Sequence, residues 1–361
     1  METRNQPFSL DFGREPREMI PRAKMFNDLV ESFTAETPGS HAMLITGVRG
    51  SGKTVFMTTV KNRLKEEPNW VVVELNPTRD LLEGLNAKLG DEEALRPIFR
   101  MTEMELSTSD VGIKKEDAAP VKDLEAVLAR MLTSLHNHGK RLLVCIDEAS
   151  HTPQMRTLVS TFQTLWQEGL PIFLIMTGLY ENVRFLQEDK HLTFLYRAPS
   201  MTMRALNIGC IEASYARIFG IEQSRALRMA KETKGYAYAF QVLGYFTWKF
   251  PDEDEKICGA YRQYLEEYVY EKLWQDLSRT DRKVLYAMAC TPDGTVEQIR
   301  KALHMQSNQF TVYRTRLIRK GIISGDTYGV VRFELPLFEQ FVLEHTYENE
   351  ESTVDVISNN I

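Results

Sequence analysis

Four short apolar runs punctuate the first half of the chain, and each is too continuous to form one face of an amphipathic helix. They lie at 42–46, 70–75, 141–146 and 171–177. Runs that are apolar throughout are typical of strands buried on both faces of a parallel sheet. Between the runs, apolar residues recur every three or four positions, as at 124–135, which predicts helices. The pattern therefore predicts an α/β core in which helices flank a parallel sheet.

The pattern changes after residue 202. Apolar spacing is helical throughout 211–270, which predicts a small helical lid. Three short helical segments then precede a glycine-flanked turn at 325–329 and an apolar strand at 330–335. This order predicts a C-terminal winged helix-turn-helix, and the polar residues beyond Tyr347 predict a disordered tail.

These changes divide the chain into five regions. We predict an N-terminal extension at 1–20, an α/β core at 21–202, a helical lid at 203–275, a winged helix at 276–346 and a tail at 347–361.

The strand at 42–46 leads into a glycine-rich loop that matches Gly-x-x-x-x-Gly-Lys-Thr, and a helix follows from Val55. Successive backbone N–H groups of such a loop surround phosphate oxygens, and the lysine reaches the β- and γ-phosphates. A glycine-rich turn without a ligand is the alternative, which the flanking strand and helix disfavour. The predicted nucleotide-binding residues are Gly47, Val48, Arg49, Gly50, Ser51, Gly52, Lys53, Thr54 and Val55.

Two acids, Asp147 and Glu148, follow the apolar strand at 141–146. The carboxyl ends of parallel strands are where α/β sheets bind ligands. We expect Asp147 to hold Mg²⁺ together with the Thr54 hydroxyl, and Glu148 to polarise the attacking water as a general base. Solvated loop acids are the alternative. The presence of both acids favours hydrolysis over binding alone.

Two further positions leave alternatives open. Thr177 ends the strand at 171–177, where its hydroxyl would either contact the γ-phosphate and attacking water or cap the next helix. Arg197 lies in an apolar stretch and would act as an arginine finger on a neighbouring subunit, contact its own γ-phosphate, or form a structural ion pair. The helix that begins near residue 21 would either lie over the adenine or cover the sheet edge.

The net charge of the chain bears on whether it binds nucleic acid. A net charge of −6 argues against a wholly basic nucleic-acid binder, but a local basic cluster occurs in the third winged-helix segment. The predicted DNA-binding residues are Arg314, Arg316, Arg319 and Lys320. Because winged helices also dock proteins, a protein partner remains the alternative to double-stranded DNA.

Four scattered cysteines and no C-x-x-C pair predict buried, reduced thiols. The seven histidines form no spacing typical of a metal site. The chain shows neither a signal-peptide pattern nor an apolar run of membrane-spanning length, so we expect a cytoplasmic protein without a membrane partner.

Together, Gly47–Thr54, Asp147-Glu148, Thr177, Arg197, the lid and the winged helix resemble AAA+ ATPases, in the branch of archaeal origin-recognition and STAND-type proteins. The chain also resembles a family of bacterial AAA-type ATP-binding proteins with a C-terminal winged helix. Further similar segments lie at 12–16, 178–179, 193–198, 235–239 and 313–317.

The resemblance implies ATP and Mg²⁺ as cofactors and hydrolysis of ATP to ADP and phosphate, and the departures in the lid described below imply that hydrolysis is slow. An Arg197 finger that acts on a neighbouring subunit would require nucleotide-dependent homo-oligomers. The resemblance also implies that Arg22 lies in the segment that contacts the adenine. The family usually has Gly-Arg-Glu there and this chain has Pro-Arg-Ala, so Arg22 is the one residue that matches. The lid lacks the arginine that senses nucleotide in relatives, and Gly235-Tyr236-Ala237 stands where Gly-x-Pro is usual. The expected function is an ATP-dependent switch that controls a DNA-binding winged helix; the alternative is a STAND-like signalling or defence ATPase that docks a protein.

Overall fold

The computed structural model describes residues 5–11, 13, 15–92, 95 and 124–350. The chain forms two compact units. The α/β unit comprises Arg22–Thr46 and Lys53–Thr202. The helical unit comprises the N-terminal segment to Pro21, the loop Gly47–Gly52 and the chain from Met203 onward.

The α/β unit contains a five-stranded parallel sheet. Its strands are β1 (Ala42–Thr46), β2 (Trp70–Leu75), β3 (Arg141–Ile146), β4 (Ile172–Gly178) and β5 (Ser200–Thr202). The spatial order is β2-β3-β4-β1-β5, so the carboxyl ends of β3, β4 and β1 lie side by side. All four predicted strands are confirmed. The sequence missed β5, which has only three residues and an exposed–intermediate–exposed pattern.

Helices flank this sheet, as predicted. They are α1 (Ala23–Thr34), α2 (Lys53–Lys65), α3 (Leu81–Asp91), α4 (Leu124–Asn137), α5 (Pro153–Gln167) and α6 (Tyr180–Gln187), followed by a 3₁₀ turn at Thr193–Tyr196. Helix α1 covers the sheet, because the fully buried Phe33 ring lies 5.2 Å from the Phe173 ring of β4. Over 101–122 the sequence pattern is less regular and predicts an extended stretch at 104–110 and a polar loop at 114–120. These residues lie outside the described part of the chain.

The helical unit begins with the region predicted as a lid. It contains α7 (Ile208–Phe219), α8 (Gln223–Glu232), α9 (Ala237–Lys249), α10 (Asp254–Leu265), a π-helical turn (Glu266–Tyr270) and α11 (Glu271–Gln275). The remaining elements are α12 (Arg279–Ala289), α13 (Val296–Ala302), α14 (Ser307–Arg319), β6 (Ile323–Ser324), β7 (Arg332–Phe333) and α15 (Phe338–Glu350). One hydrophobic cluster runs through all of this unit.

The C-terminal region has the three predicted helices and an antiparallel β6–β7 pair, although the predicted strand at 330–335 shortens to two residues. The sequence missed α15. Its buried Phe338, Phe341 and Val342 follow helical spacing. Helix α15 continues through Glu350, so residues 347–350 are helical and the prediction that a disordered tail begins at 347 is wrong for them. Residues 351–361 lie outside the described part.

The N-terminal segment packs on the lid helices. Phe8 is 2% exposed and lies against Gly244 of α9, where a Cβ atom would approach the ring to 2.5 Å. The Glu18 carboxylate accepts hydrogen bonds from Ser214 (2.7 Å) and Arg217 (2.6 Å) of α7. The apolar residues of this otherwise polar segment, Phe8, Leu10, Phe12 and Ile20, are its predicted docking points. Phe8 and Ile20 are buried as predicted, Leu10 is half-buried, and Phe12 lies outside the described residues.

The cysteines differ from expectation. Cys145 is buried in β3, where desolvation raises the pKa of its thiol to about 12, so it stays protonated and unreactive. Cys210, Cys258 and Cys290 are exposed, which corrects the prediction of buried thiols. No helix in the described ranges has both the length and the apolar character needed to cross a membrane.

Candidate nucleotide-binding site

Three predicted residues of the α/β unit meet at the carboxyl end of the sheet. The Thr54 hydroxyl, in the first turn of α2, donates to Asp147 Oδ2 at 2.6 Å. The Thr177 hydroxyl, near the end of β4, donates to the other oxygen, Asp147 Oδ1. Thr177 is fully buried, and the residue that caps α6 is Leu179. The alternative in which Thr177 caps the next helix is therefore wrong.

Glu148 follows Asp147 with an unusual backbone. Its φ of +55° lies in the left-handed region, which costs a non-glycine residue on the order of 1 kcal/mol. Its N–H donates to Asp147 Oδ1 at 3.0 Å, and the next N–H, of Ala149, donates to the Thr177 carbonyl at 2.8 Å. This turn is thus tied to β4, and the Glu148 side chain is left exposed. Such strain is typical of functional positions.

The donor set fits the expected ligands. Hydroxyl and carboxylate oxygens, as in Thr54 and Asp147, are the ligands that Mg²⁺ prefers, and Mg²⁺ retains waters and phosphate oxygens beside one or two carboxylates. Among the described residues, no three His, Cys, Asp or Glu side chains could hold a metal by themselves. Helix α2 starts at Lys53 and has no acidic residue in its first turn, so its positive end favours phosphate.

The preceding part of the loop, Gly47–Gly52, packs within the helical unit. Gly50 and Gly52 have φ of +75° and +90°, which explains why glycine occupies these positions. The Tyr236 hydroxyl donates to the Arg49 carbonyl at 2.5 Å, and the Tyr238 N–H donates to the Gly50 carbonyl at 3.1 Å. The sequence showed the loop but not these contacts, because residues 49 and 236 are far apart along the chain.

The two other predicted arginines lie elsewhere in the α/β unit. Arg22 is half-buried at the N-cap of α1, and burial lowers the pKa of its guanidinium. Arg197 ends the 3₁₀ turn and is exposed beside Tyr196, which is itself 77% exposed. Arg197 is thus exposed although its sequence neighbours are apolar, and its role as a finger, a contact to its own γ-phosphate or a structural ion pair stays a prediction.

The predicted basic cluster of α14 is only partly available. The Arg316 guanidinium pairs with the buried carboxylate of Asp281 at 2.5 Å, within the helical unit. This ion pair conflicts with the prediction that Arg316 binds DNA. The half-buried Arg314 donates to the Gly325 carbonyl at 3.4 Å, and the C-cap Lys320 is also half-buried. Arg319 is exposed. The Ser278-x-x-Asp281 pattern is typical of a helix start, and the structure confirms it: Ser278 caps α12, and its Oγ accepts from the Asp281 N–H in the first turn.

The strand order, the loop after β1 and the acid pair after β3 define the class of the α/β unit as an AAA+ P-loop NTPase fold. Residues 20–175 match the family model described as AAA ATPase domain, which assigns an AAA ATPase domain to this part of the chain. Residues 267–342 match a domain of unknown function, DUF8462. Comparison with curated proteins gives no significant sequence match.

Solved structures are similar over most of the chain. The Walker-type ATPase of Pyrococcus abyssi is 15% identical, with 90% of this chain and 96% of that chain covered and a TM-score of 0.59. The Orc1 protein of Aeropyrum pernix, in complex with DNA, is 13% identical, with 95% of this chain and 96% of that chain covered and a TM-score of 0.44. Cdc6p of Pyrobaculum aerophilum is 14% identical, with 94% of this chain and 97% of that chain covered and a TM-score of 0.44. The first similarity shows the fold alone, and the other two are too distant to inform function.

Proposed function

We propose that this protein binds ATP with Mg²⁺, hydrolyses the ATP slowly, and uses its nucleotide state to control the C-terminal region. The observation that carries the proposal is the convergence of the Thr54 and Thr177 hydroxyls on Asp147, next to Lys53 at the start of α2. A carboxylate held between two hydroxyls at the end of a phosphate loop suits a nucleotide–magnesium site.

Each residue has a distinct role in this proposal. Backbone N–H groups of Gly47–Gly52 and the Lys53 ammonium bind the phosphates. Thr54 and Asp147 would hold Mg²⁺, which neutralises phosphate charge when bound. The exposed Glu148 carboxylate takes a proton from the attacking water, and Thr177 keeps the Asp147 carboxylate oriented.

Replacement of Lys53 by alanine tests the binding part. We expect Lys53→Ala to weaken the affinity for a fluorescent ATP analogue by roughly 10- to 100-fold, because it removes a charged contact to phosphate. Lys65→Ala is the matched control, since Lys65 is exposed at the other end of the same helix. Equal affinities for the two variants, or no binding by the wild-type protein, would contradict the proposal.

For the output, we propose that the region from α12 to β7 acts as a winged helix that binds duplex DNA. The exposed face of α14 presents Asn308, Gln309 and Arg319, which suit base and phosphate contacts. Lys320 follows directly at the end of the helix.

A protein partner is the second candidate, and two observations favour it. The Arg316–Asp281 pair removes one cation from the predicted basic face. Val312 on α14 is 62% exposed, and Tyr328 in the turn between β6 and β7 is fully exposed, so this region also presents apolar and aromatic surface to solvent.

A double variant, Arg319→Ala with Lys320→Ala, separates the candidates. If this face binds DNA, affinity for a duplex falls and the salt slope of log K decreases by about 2, one per lost phosphate contact. Arg228→Ala with Lys231→Ala, on the exposed side of α8, removes the same charge elsewhere in the helical unit. Fluorescence anisotropy at several salt concentrations measures both. If both pairs behave alike, the DNA proposal fails and the protein candidate gains.

A further inference from the structure

We propose that Tyr236 is a positioning residue for the phosphate-binding loop, and that the lid acts on the nucleotide through the loop backbone. This inference rests on the proposed nucleotide binding. Its basis is the hydrogen bond of 2.5 Å from the Tyr236 hydroxyl to the Arg49 carbonyl, supported by the bond of 3.1 Å from the Tyr238 N–H to the Gly50 carbonyl.

Peptide planarity explains what these two bonds do. In a trans peptide, the carbonyl of one residue and the N–H of the next point in opposite directions. Fixing the Arg49 carbonyl toward Tyr236 therefore turns the Gly50 N–H away from the lid. The bond to the Gly50 carbonyl fixes the next peptide plane as well, and the N–H of that plane, from Ser51, donates to the Val48 carbonyl at 3.2 Å within the loop. The Gly50 N–H is a loop N–H group of the kind that binds phosphate oxygens.

The contact is tight and specific to glycine. A Cβ on Gly50 would lie 2.9 Å from Tyr238 Cβ and 3.0 Å from the Tyr236 ring, so residues 236 and 238 leave no space for a side chain. Gly50 thus meets two requirements at once, a positive φ and close approach of the lid.

Tyr236 is itself held firmly. Its N–H donates to the Thr233 carbonyl at 2.8 Å, and the Gly235 N–H donates to the Thr233 hydroxyl at 3.1 Å. The Tyr236 side chain is buried, and desolvation raises the pKa of its hydroxyl, so the proton that is donated to Arg49 stays on the phenol oxygen.

The arrangement offers the lid a route to the nucleotide without a sensing arginine. Because coupling between binding events is reciprocal, a phosphate that favours this loop conformation also favours the lid position that supplies Tyr236. The lid would then respond to nucleotide through the carbonyls of Arg49 and Gly50.

Tyr236→Phe tests the inference, with Tyr215→Phe as its matched control. Tyr215 is also buried in the helical unit, and its hydroxyl also donates to a backbone carbonyl, that of Phe240, at 2.7 Å. Both variants lose one buried hydrogen bond, and only Tyr236→Phe loses a contact to the loop. Two measurements are made on each full-length variant: titration with a fluorescent ATP analogue, and amide hydrogen exchange of the peptide that covers Gly47–Thr54 without nucleotide.

We expect Tyr236→Phe to raise the Kd of the analogue about 5- to 10-fold, and to raise KM more than it lowers kcat. Exchange of the loop amides becomes faster in Tyr236→Phe and stays unchanged in Tyr215→Phe. If the two variants match in loop exchange and in affinity, this inference is overturned while nucleotide binding stands. If the wild-type protein binds no nucleotide, the proposed function falls and the inference falls with it.

Discussion

Glu148→Gln is expected to bind ATP as tightly as the wild-type protein and to lose hydrolysis by about 10²- to 10⁴-fold, the usual contribution of a general base. The substitution keeps the size of the side chain and removes its ability to accept a proton. The Glu148 side chain is exposed, so the change leaves the packing around β3 intact. A binding titration with ATP checks the expected affinity, and the rate of phosphate release at saturating ATP checks the expected loss of hydrolysis.

Glu168→Gln provides the comparison for this variant. Glu168 is exposed at the C-cap of α5 in the same α/β unit, and the substitution makes the same change in charge. We expect it to hydrolyse ATP at the wild-type rate. Wild-type hydrolysis by Glu148→Gln would show that another group activates the water, and the role proposed for Glu148 would be abandoned.

Asp281→Ala should lower the stability of the helical unit more than any surface substitution. Asp281 accepts from Arg316 at 2.5 Å and from Ser278 Oγ at 2.7 Å, and its side chain is only 2% exposed. Removing one partner of a buried ion pair costs about 3 kcal/mol, because the other charge is left without compensation. Calorimetry should therefore show the melting temperature falling by roughly 6–12 °C.

The i,i+4 pair between Lys301 and Glu297 of α13 supplies the control, since both side chains are well exposed. Glu297→Ala should leave the melting temperature essentially unchanged, as expected for a solvated pair. A similar, small effect for both variants would mean that the Asp281–Arg316 pair does not support the fold. Arg316 would then return to the residues available for DNA.

The sheet and its site were predictable because their signals are local. Each central strand is a short apolar run, and Gly47–Thr54 is one continuous motif that follows β1 and extends into the first turn of α2. Because β3 and β4 are adjacent and parallel, residues at their carboxyl ends lie close together, and Asp147 and Thr177 could be predicted from their positions at these ends.

The contacts that the sequence did not reveal join distant parts of the chain. Tyr236 meets Arg49, and Arg316 meets Asp281, through the packing of whole helices. Apolar spacing identifies helices but does not state which polar side chains face each other across them. The sequence therefore shows the positive charge of α14, but it does not show that Asp281 forms an ion pair with Arg316. Helix α15 is different, since its Phe338, Phe341 and Val342 spacing was readable and was missed.

The docking of the N-terminal segment on the lid has a consequence for how the chain folds. Ser9 donates its N–H to Gln241, 232 residues further along, and Phe8 fills the space above Gly244. During synthesis, Phe8 and Ser9 must therefore wait for α9 before they reach their native partners. Contacts of such long sequence separation form late and slow folding. The helical unit is a discontinuous domain, which no single excised fragment of the chain would reproduce.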